Sequence, residues 1–384
     1  MIKKICNCIF VAAVFVLLAV PFLFTDWTSG GISAAENRAL AKFPDLFING
    51  RLNQSFTSQF DIWFSDHLGF RDELLSFNAS RQMEMYNKLL VNSEYSIGPY
   101  GDLNHTTNEE ILDFAHANLL SEEELIKVGQ SYQVISDWLA GKGIDFYYVQ
   151  CYSKHSIYPE HFRDDIKKVN DISKTDQVIF YLQENTDVNV IYIKPTLLEA
   201  KAAGYEVYGN WFDPAHWTQR GAFVGYQAIM ERLNADHGNI FPVLQEEDYN
   251  ITMYDGGMTL NDVIHEIDYV ENFEIREPKA QKVKDSIFEV AFGEPERHSG
   301  WINSSVDNDV RLMLMCDSYI KHFIVEDFAE SFSEVGLIWS DYLRSMDDAV
   351  DMYQPDIVVY ETTEWVNRDS DIIGLADKIR NGDV

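Results

Sequence analysis

Apolar and polar positions alternate along the C-terminal two-thirds of the chain in a way that predicts strands separated by helices. Short apolar runs typical of buried strands occur at residues 144–150, 188–193, 311–315, 335–339 and 356–360. Apolar residues spaced by three and four predict helices at 121–140, 174–186, 218–234, 319–332 and 372–379. This alternation favours a parallel sheet with helices on both faces, so we expect an α/β fold. In such sheets, functional side chains gather at the carboxyl ends of the strands.

A stripe of aromatic residues predicts a helical region that precedes this alternation. The stripe consists of Phe56, Phe60, Trp63, Phe64 and Phe70, together with the apolar Leu68. Its spacing indicates an amphipathic helix that ends near Leu68, and a second helical pattern covers about 72–90. We expect the aromatic stripe to pack into a core and not to form a ligand site.

The N-terminus carries an export pattern. Lys3 and Lys4 precede an uncharged apolar run from Ile9 to Phe24, whose length falls between a signal-peptide core and a full membrane span. The lysines are expected to keep the N-terminus in the cytoplasm and the rest of the chain outside. Ser33-Ala34-Ala35 has the small residues of a cleavage site, so both an uncleaved anchor and a cleaved signal are compatible with the sequence. Either form predicts an exported protein attached to the membrane or secreted.

These patterns predict three regions. A signal peptide or signal anchor is expected at 1–25, a membrane-proximal helical region at 26–107 and the α/β domain at 108–384. Residues 235–310 hold many acidic residues and mixed short patterns, which we interpret as an insertion in that domain. The insertion is compatible with shaping a substrate groove and equally with plain structural packing.

The net charge and the cysteine content argue against some classes of partner and site. The formal net charge is −32 over 384 residues and no basic patch is present, which argues against a nucleic-acid partner. Cys151 and Cys316 each follow a strand pattern, so they would form a disulfide only if those strands are neighbours, and buried free thiols are the alternative. No Cys/His spacing is typical of zinc, and we expect neither a metal nor a cofactor.

Two distant segments carry the residues needed for acyl transfer. Asp213-Pro-Ala-His216 supplies a carboxylate and an imidazole just before a helical pattern, and Ser318 supplies a hydroxyl directly after a buried strand pattern. Together they provide a nucleophile, a base and an acid that orients the base. Each segment also has a structural interpretation, because Asp213, Asp317 and Ser318 are ordinary helix caps and His216 is compatible with a packed core residue.

Together the two segments resemble the SGNH, or GDSL-type, hydrolase superfamily. Its members carry an Asp-Ser turn after a strand and an Asp-x-x-His motif before a helix, and here the two motifs occur in reversed order. Reversed order resembles the branch of AlgJ- and AlgX-type alginate O-acetylation proteins and DHHW proteins. The Phe60-to-Asp72 block resembles the membrane-proximal block of that branch, and the block from Lys154 through Tyr158 to Glu160 resembles its Lys-x-x-x-Tyr-Pro-Glu block.

The resemblance implies an SGNH-like fold and a Ser318–His216–Asp213 triad. It also implies supporting or substrate-binding roles for Asp317, Tyr319, Lys154, Tyr158 and Trp217. A purely structural interpretation of Lys154 and Tyr158, as a solvated lysine and a packed tyrosine, is equally compatible with the sequence. Glu361 and Glu364 are expected in a solvated loop. The Ser318 backbone N–H, with Tyr319 or Asn367, is a candidate oxyanion donor.

Two departures from the branch bear on this triad. Asp213 lies three residues before His216 where the branch usually has two, with Pro214 at the usual position, and Cys316 replaces the usual glycine before Asp-Ser. The first departure bears on the orienting acid. The second predicts crowding at the nucleophile turn.

The sequence therefore favours an exported serine O-acyltransferase that acetylates a cell-surface polysaccharide. The resemblance implies a membrane-bound acyltransferase partner that supplies the acetyl group. Two alternatives remain open at this point. One is a carbohydrate esterase or deacetylase with the same triad, and the other is a catalytically decayed glycan-binding or scaffold protein of a membrane acetylation complex.

Overall fold

The computed structural model describes residues 2–27, 31–33, 38–48, 50–71, 73–74, 77–78, 81, 94–260 and 264–384. The predicted second helix at about 72–90 and the Ala34-Ala35 part of the cleavage site lie almost entirely outside these residues. The chain divides into one unit within Met1–Ser93 and Met258–Glu266, and a second unit of Glu94–Gly257 and Ile267–Val384. The three predicted region boundaries stay predictions.

The strands, in chain order, are β1 (Ile32–Ser33), β2 (Arg38–Ala39), β3 (Phe47–Ile48), β4 (Arg51–Leu52), β5 (Tyr95–Ile97), β6 (Leu103–His105), β7 (Asp145–Cys151), β8 (Asn189–Ile191), β9 (Tyr249–Asp255), β10 (Thr259–Leu260), β11 (Ile264–His265), β12 (Tyr269–Ile275), β13 (Gln281–Lys282), β14 (Ser299–Ile302), β15 (Arg311–Cys316), β16 (Glu334–Trp339) and β17 (Ile357–Thr363). The helices are α1 (Ile2–Leu23), α2 (Phe56–His67), α3 (Asn108–Phe114), α4 (Glu122–Ala140), α5 (Lys154–Ile157), α6 (Lys174–Asn185), α7 (Lys194–Ala202), α8 (Gln219–Asp236), α9 (Ile287–Phe292), α10 (Ser318–Phe323), α11 (Val325–Ala329), α12 (Met346–Tyr353) and α13 (Asp369–Asn381). Short 3₁₀ turns lie at Pro159–His161, Glu246–Asp248 and Ser340–Ser345.

The first unit contains the predicted aromatic helix. Helix α2 ends at His67, one residue before the predicted end, and Trp63 is its fully buried aromatic residue. The Trp63 ring packs edge-on against Phe43, with 4.7 Å between the ring centroids. Among the residues that the structure describes, no helix combines the length and the apolar character needed to cross a membrane.

The second unit is built on a seven-stranded sheet in the order β13-β14-β16-β15-β17-β7-β8. Strands β16, β15, β17, β7 and β8 run parallel to one another, whereas β13 and β14 add an antiparallel edge. Helices flank the sheet, so the predicted α/β fold with a largely parallel sheet is confirmed. Every residue of β17 is buried, as is almost all of β15. Burial on both faces explains the apolar residues of β15 and of Ile357–Tyr360, whereas Glu361–Thr363 are polar although they are buried.

One predicted helix is wrong in detail. The pattern at 319–332 predicts one helix, but the structure has α10 and α11 separated at Ile324, whose φ of −136° leaves the helical region. Ile320, Ile324 and Phe328 are all buried and keep a spacing of four across the break. The apolar period therefore does not reveal the change of backbone direction.

Residues 235–310 contain both a hairpin and part of the main sheet. Strands β9 and β12 pair antiparallel over seven residues, from Tyr249 opposite Ile275 to Asp255 opposite Tyr269. Strands β13 and β14 lie in the same stretch of sequence and extend the central sheet beside β16. This stretch is thus partly sheet edge and partly a separate hairpin.

Strand order also decides the relation between the two cysteines. Cys151 ends β7 and Cys316 ends β15, but β17 lies between these strands. Both residues are buried free thiols. The alternative of free thiols is therefore correct, because the strands are not neighbours.

Candidate active site

The Asp213–His216 segment folds as a tight turn ahead of α8. The Asp213 carboxylate accepts a hydrogen bond from the Ala215 N–H at 3.1 Å, and the Asp213 carbonyl accepts one from the His216 N–H at 3.1 Å. Thr218 then caps α8, with its hydroxyl accepting the Gly221 N–H at 3.1 Å. The turn directs the carboxylate back along the chain toward the imidazole.

Gly221 allows this turn to lie close to the preceding backbone. A Cβ atom at Gly221 would lie 2.3 Å from the Val207 carbonyl oxygen, which is closer than van der Waals contact allows. The same carbonyl accepts a hydrogen bond from the Thr218 N–H at 3.0 Å. A side chain at this position would therefore displace the start of α8 and the histidine before it.

Ser318 lies at the carboxyl end of the central strand β15, where α10 begins. Asp317 caps this helix, because its carboxylate accepts the Tyr319 N–H at 2.9 Å and also the Thr363 N–H at 2.9 Å from the end of β17. Ser318 is the first helical residue, so its own N–H has no partner within the helix. Asp317 thus has the capping role that its sequence also suggested.

The two segments meet although they are about a hundred residues apart. His216 Nε2 lies 2.7 Å from Ser318 Oγ, and His216 Nδ1 lies 2.8 Å from Asp213 Oδ2. Both distances are within hydrogen-bond reach. The geometry allows the imidazole to accept the Ser318 proton at one nitrogen while the other donates to the carboxylate.

Tyr319 and Trp217 hold the two segments against each other. The Tyr319 hydroxyl donates to the Ala215 carbonyl at 2.7 Å, and the Trp217 ring N–H donates to the Tyr319 carbonyl at 3.3 Å. Both residues are fully buried, and their ring centroids are 5.2 Å apart. These reciprocal contacts fix the imidazole over the serine.

The electrostatics of Asp213 suit an acid that orients a histidine. Burial acts to raise the pKa of its carboxyl group, but the hydrogen bond and charge of His216 and the Ala215 N–H outweigh burial and hold the pKa below its usual value. The carboxyl group is therefore ionised at neutral pH. Its side chain is 46% exposed, compared with 16% for His216, so water reaches this side of the triad.

Glu361 corrects one sequence prediction. Glu361 and Glu364 were expected in a solvated loop, but both are buried, and Glu361 is the fifth residue of β17. The Glu361 carboxyl accepts the Asp317 N–H at 3.0 Å. Burial, and then the charge of Asp317, raises the pKa of Glu361 well above its usual value, so this carboxyl holds a proton beneath the nucleophile turn. Glu361 directly follows the apolar run that ends at Tyr360. Its burial would have been predicted if the buried strand had been extended past that run to Thr363.

Lys154 and Tyr158 occupy a different neighbourhood. The Lys154 ammonium is buried, pairs with Asp102 at 2.8 Å and donates to the Leu103 carbonyl at 2.9 Å. Burial lowers its pKa in spite of the Asp102 charge. The Tyr158 ring lies 4.3 Å below the Lys201 ammonium. Among the contacts of the described residues, none joins Lys154 or Tyr158 to Asp213, His216 or Ser318.

The two departures from the branch pattern leave the turn intact. A spacing of three still brings Asp213 to 2.8 Å from His216. The Cys316 side chain is fully buried in the core, and the backbone bonds of Asp317 and Tyr319 form beside it. The hydrogen bonds of the Asp317 and Tyr319 N–H groups therefore form with Cys316 in place of the usual glycine, and crowding of the oxyanion site stays a prediction.

One further cluster has atoms that are suitable for a metal. Asp113, His155 and Glu364 are buried, with one ligand atom of each within 4.8 Å of the others. Each carboxylate also has protein donors: His155 Nε2 lies 3.0 Å from Asp113 Oδ2, and Glu364 accepts the Ser153 N–H at 3.0 Å and the Ser156 hydroxyl at 2.8 Å. These bonds account for the cluster as a hydrogen-bonded network under the α5 turn.

Several solved structures are similar to this chain at low identity. PatB1 from Bacillus cereus is 17% identical over 66% of this chain and 91% of its own, with a TM-score of 0.47. A DHHW family protein from Eubacterium siraeum is 13% identical over 66% and 88%, with a TM-score of 0.45. The O-acetyltransferase domain of Pseudomonas putida AlgJ is 14% identical over 75% and 99%, with a TM-score of 0.44. A search of curated proteins gave no match.

A sequence model of a protein family matches the central part of the chain. Its description is "SGNH hydrolase-like domain, acetyltransferase AlgX", and it matches residues 112–298. The matched region contains the Asp213–His216 turn and ends before Ser318. The match agrees with the resemblance predicted from the motifs: residues 112–298 of this chain are similar to an SGNH hydrolase-like domain of the AlgX type.

Proposed function

We propose that this protein is an exported serine O-acyltransferase that acetylates a cell-surface polysaccharide through an acetyl-Ser318 intermediate. The observation that carries the proposal is the continuous hydrogen-bonded series from Asp213 through His216 to Ser318, with distances of 2.8 and 2.7 Å. This arrangement supplies an activated nucleophile at the carboxyl edge of a parallel sheet.

The first half-reaction loads the acetyl group. Ser318 Oγ attacks the carbonyl carbon of an activated acetyl ester or thioester, and His216 Nε2 takes the serine proton. The Oγ–carbon bond forms, the bond to the leaving group breaks, and His216 returns the proton to the leaving oxygen or sulfur. Asp213 stabilises the imidazolium that exists between these two transfers.

The second half-reaction transfers the acetyl group from Ser318 to a sugar. A sugar hydroxyl oxygen attacks the acetyl carbonyl carbon while His216 takes the hydroxyl proton. The bond to Ser318 Oγ then breaks, and His216 gives the proton back to Oγ. The Ser318 backbone N–H, which has no partner within α10, is the proposed donor to the oxyanion that forms in each half-reaction.

The substrate and partners rest on sequence features and on the proteins that this chain resembles. AlgX is described as an acetyltransferase, and the AlgJ structure is described as an O-acetyltransferase domain. The lysines and apolar run at the N-terminus support export with an anchor or a cleaved signal. A membrane-bound acyltransferase that delivers acetyl across the membrane completes the proposed pathway.

Intact-protein mass spectrometry tests the intermediate. After incubation with an activated acetyl ester, we expect the wild-type chain to gain one acetyl group, and Ser318→Ala to gain none at that site. Ser370→Ala changes an exposed serine on α13 and is the matched control, expected to acetylate like the wild type. No acetyl-enzyme in the wild type, or equal labelling of Ser318→Ala, would overturn the proposal.

Hydrolysis is a second candidate because the site is open. With the Asp213 side chain 46% exposed, water has access beside His216 and would compete with a sugar for the acetyl-enzyme. An oligosaccharide acceptor added to an ester-cleavage assay separates the two functions. Transfer yields acetylated sugar, whereas an esterase yields acetate alone.

A decayed site is the remaining alternative. A separation of Ser318 and His216 far beyond hydrogen-bond reach would have favoured it, and the 2.7 Å contact argues against it.

A further inference from the structure

An open cavity of about 430 Å³ lies beside the proposed triad. Three regions line it: the start of α8, α10 together with α11, and β12 with Pro278 after it. The first two regions follow triad residues along the chain. Gln219 is the first residue of α8, three residues after His216, and Lys321–Phe323 lie three to five residues after Ser318. The third region includes Asn272–Ile275 of β12, from the hairpin at 235–310.

Ring contacts join the cavity wall to the triad. The Phe323 ring lies 5.6 Å from the His216 ring and 6.4 Å from the Phe212 ring, between centroids. The charges of His216 and Asp213 act on the neighbouring His322 ring. The wall of the cavity therefore contacts the imidazole through Phe323, although Asp213, His216 and Ser318 are not themselves among the residues that line it.

The polar side chains of this cavity have unused hydrogen-bonding capacity. Within the described part of the chain, the side chains of Gln219, Asn272, Lys321 and His322 have no hydrogen-bond partner. Gln219, Asn272 and Lys321 are half-buried, and their polar groups reach solvent, so they are available to a ligand. Burial, and then the charge of Lys321, lowers the pKa of His322, so its ring is neutral at pH 7 and both donates and accepts.

The walls are held in place by ion pairs of the buried Arg220 and by a hydrogen bond between Tyr249 and Asp327. Arg220, which follows Gln219, donates to the Glu271 carboxylate at 2.6 and 2.8 Å and also pairs with Glu246. On the other side, the Tyr249 hydroxyl of β9 donates to Asp327 of α11. These contacts fix the hairpin to α8 and α11, so the cavity is preformed and does not depend on a mobile loop.

From this geometry we infer that the cavity is the acceptor subsite, and that its ligand is an uncharged, hydroxyl-rich glycan segment held by Gln219, Asn272, Lys321 and His322. The inference rests on the proposed function and deepens it. Amide, ammonium and imidazole groups are suited to sugar hydroxyls, and Phe273 and Phe323 add apolar surface for sugar rings.

The charge of the molecule selects an uncharged ligand over a polyanion. Glu274 and Glu326 also line the cavity and are exposed, so the single Lys321 charge is more than balanced. The whole chain carries a formal charge of −32, which repels a uronate polymer as it approaches. A neutral glycan does not experience this repulsion.

Calorimetric titration of the full chain tests the subsite directly. The probes are chitohexaose, cellohexaose and maltohexaose, with an oligogalacturonate hexamer as the anionic probe of equal length. We expect at least one neutral hexamer to bind more tightly than the anionic one at low salt. Absence of binding by all three neutral hexamers, or tighter binding of the anionic hexamer, would overturn the inference.

A paired variant locates the binding. Asn272→Ala combined with Lys321→Ala is expected to raise the Kd of the bound neutral hexamer about tenfold or more, since it removes two hydrogen-bonding groups. Asn250→Ala is the matched control, because Asn250 lies opposite Glu274 in the same hairpin but outside the cavity lining. Its Kd should equal that of the wild type. Equal Kd values for the paired variant and the wild type would show that the sugar binds elsewhere.

The binding readout is independent of acetyl chemistry. If the wild type fails to form an acetyl-enzyme but binds the hexamer at Asn272 and Lys321, the proposed reaction fails and the glycan subsite stands. If the acetyl-enzyme forms but the paired variant transfers acetyl to the hexamer as fast as the wild type does, the reaction stands and the subsite fails.

Discussion

At the scale of single residues, the contact between Asp213 and His216 shows how a three-residue spacing positions an acid for a base. The Asp213 carboxylate first accepts the Ala215 N–H at 3.1 Å, which closes a small turn. The second carboxylate oxygen then faces His216 Nδ1 at 2.8 Å. Pro214 adds to this turn, since a fixed φ reduces the alternatives that the chain must give up on folding.

Asp213→Asn tests the orienting role. The amide keeps nearly the same shape but loses the charge that stabilises the imidazolium, so we expect kcat for acetyl-ester cleavage to fall roughly 10²–10⁴-fold. Steady-state kinetics measures this, with circular dichroism to show that the fold is retained. Asp187→Asn, at an exposed position outside the site, is the control and should leave kcat unchanged. A fall of less than about tenfold in Asp213→Asn would show that the carboxylate is not the orienting acid.

At the scale of secondary-structure elements, the strands and helices of the α/β domain follow from the sequence because their apolar periods are unambiguous. The helix predicted at 121–140 forms as α4, which begins with a capping box of Ser121 and Glu124 and ends at Ala140. The same logic located the Ser318 and Asp213 turns, since each directly precedes a helical pattern. The local pattern of apolar residues was sufficient to predict a strand or helix wherever one face of that element is buried along its whole length.

The predictions that the structure corrects concern features that depend on contacts between residues far apart in the sequence. The break at Ile324 is invisible to a four-residue period, and the burial of Glu361 depends on strands β7 and β15, which flank β17 on either side. The acceptor cavity requires β12 to lie beside α8, and the Arg220–Glu271 pair that holds it there spans 51 residues. No local pattern could have shown that proximity.

The ion pair between α5 and the loop before β6 gives a prediction at this scale. Lys154 and Asp102 are 4% and 2% exposed, so removing one partner leaves a buried charge without compensation. We expect Lys154→Met to lower the free energy of unfolding by about 3–5 kcal/mol, measured by urea denaturation.

Lys142→Met is the matched control for that variant. Lys142 pairs with Asp351 at 2.9 Å, but the two side chains are 36% and 66% exposed, so we expect a loss of at most about 1 kcal/mol. If Lys154→Met is as mild as its control but weakens binding of the acceptor sugar, Lys154 contacts substrate, as the sequence resemblance implied, and is not primarily structural.

At the scale of the whole molecule, several buried carboxyl groups make stability depend on pH in one direction. Burial is the main cause that raises the pKa of Glu364 to about 8 and that of Asp327 to about 7. A raised pKa in the folded state means that the folded protein holds more protons than the unfolded chain between the two values. The stabilising effect is therefore complete below the unfolded pKa and is lost as pH rises through the folded pKa.

We expect the free energy of unfolding to fall by roughly 5 kcal/mol between pH 5.5 and pH 8.5. Urea denaturation at a series of pH values measures this. Glu364→Gln keeps an acceptor for the Ser153 N–H but cannot ionise, so its stability should fall less steeply over this range. Glu231→Gln, at an exposed position of α8, should follow the wild-type curve. Stability that increases with pH over this interval would contradict the assignment.

The interposed strand β17 has a practical consequence for the experiments above. Cys151 and Cys316 end strands that are not adjacent, and both are free thiols. No disulfide bond therefore joins β15, which precedes Ser318, to β7. Thiol reductants should therefore leave the alignment of nucleophile and base unaltered, and the α/β domain should tolerate production in a reducing host without an oxidative refolding step.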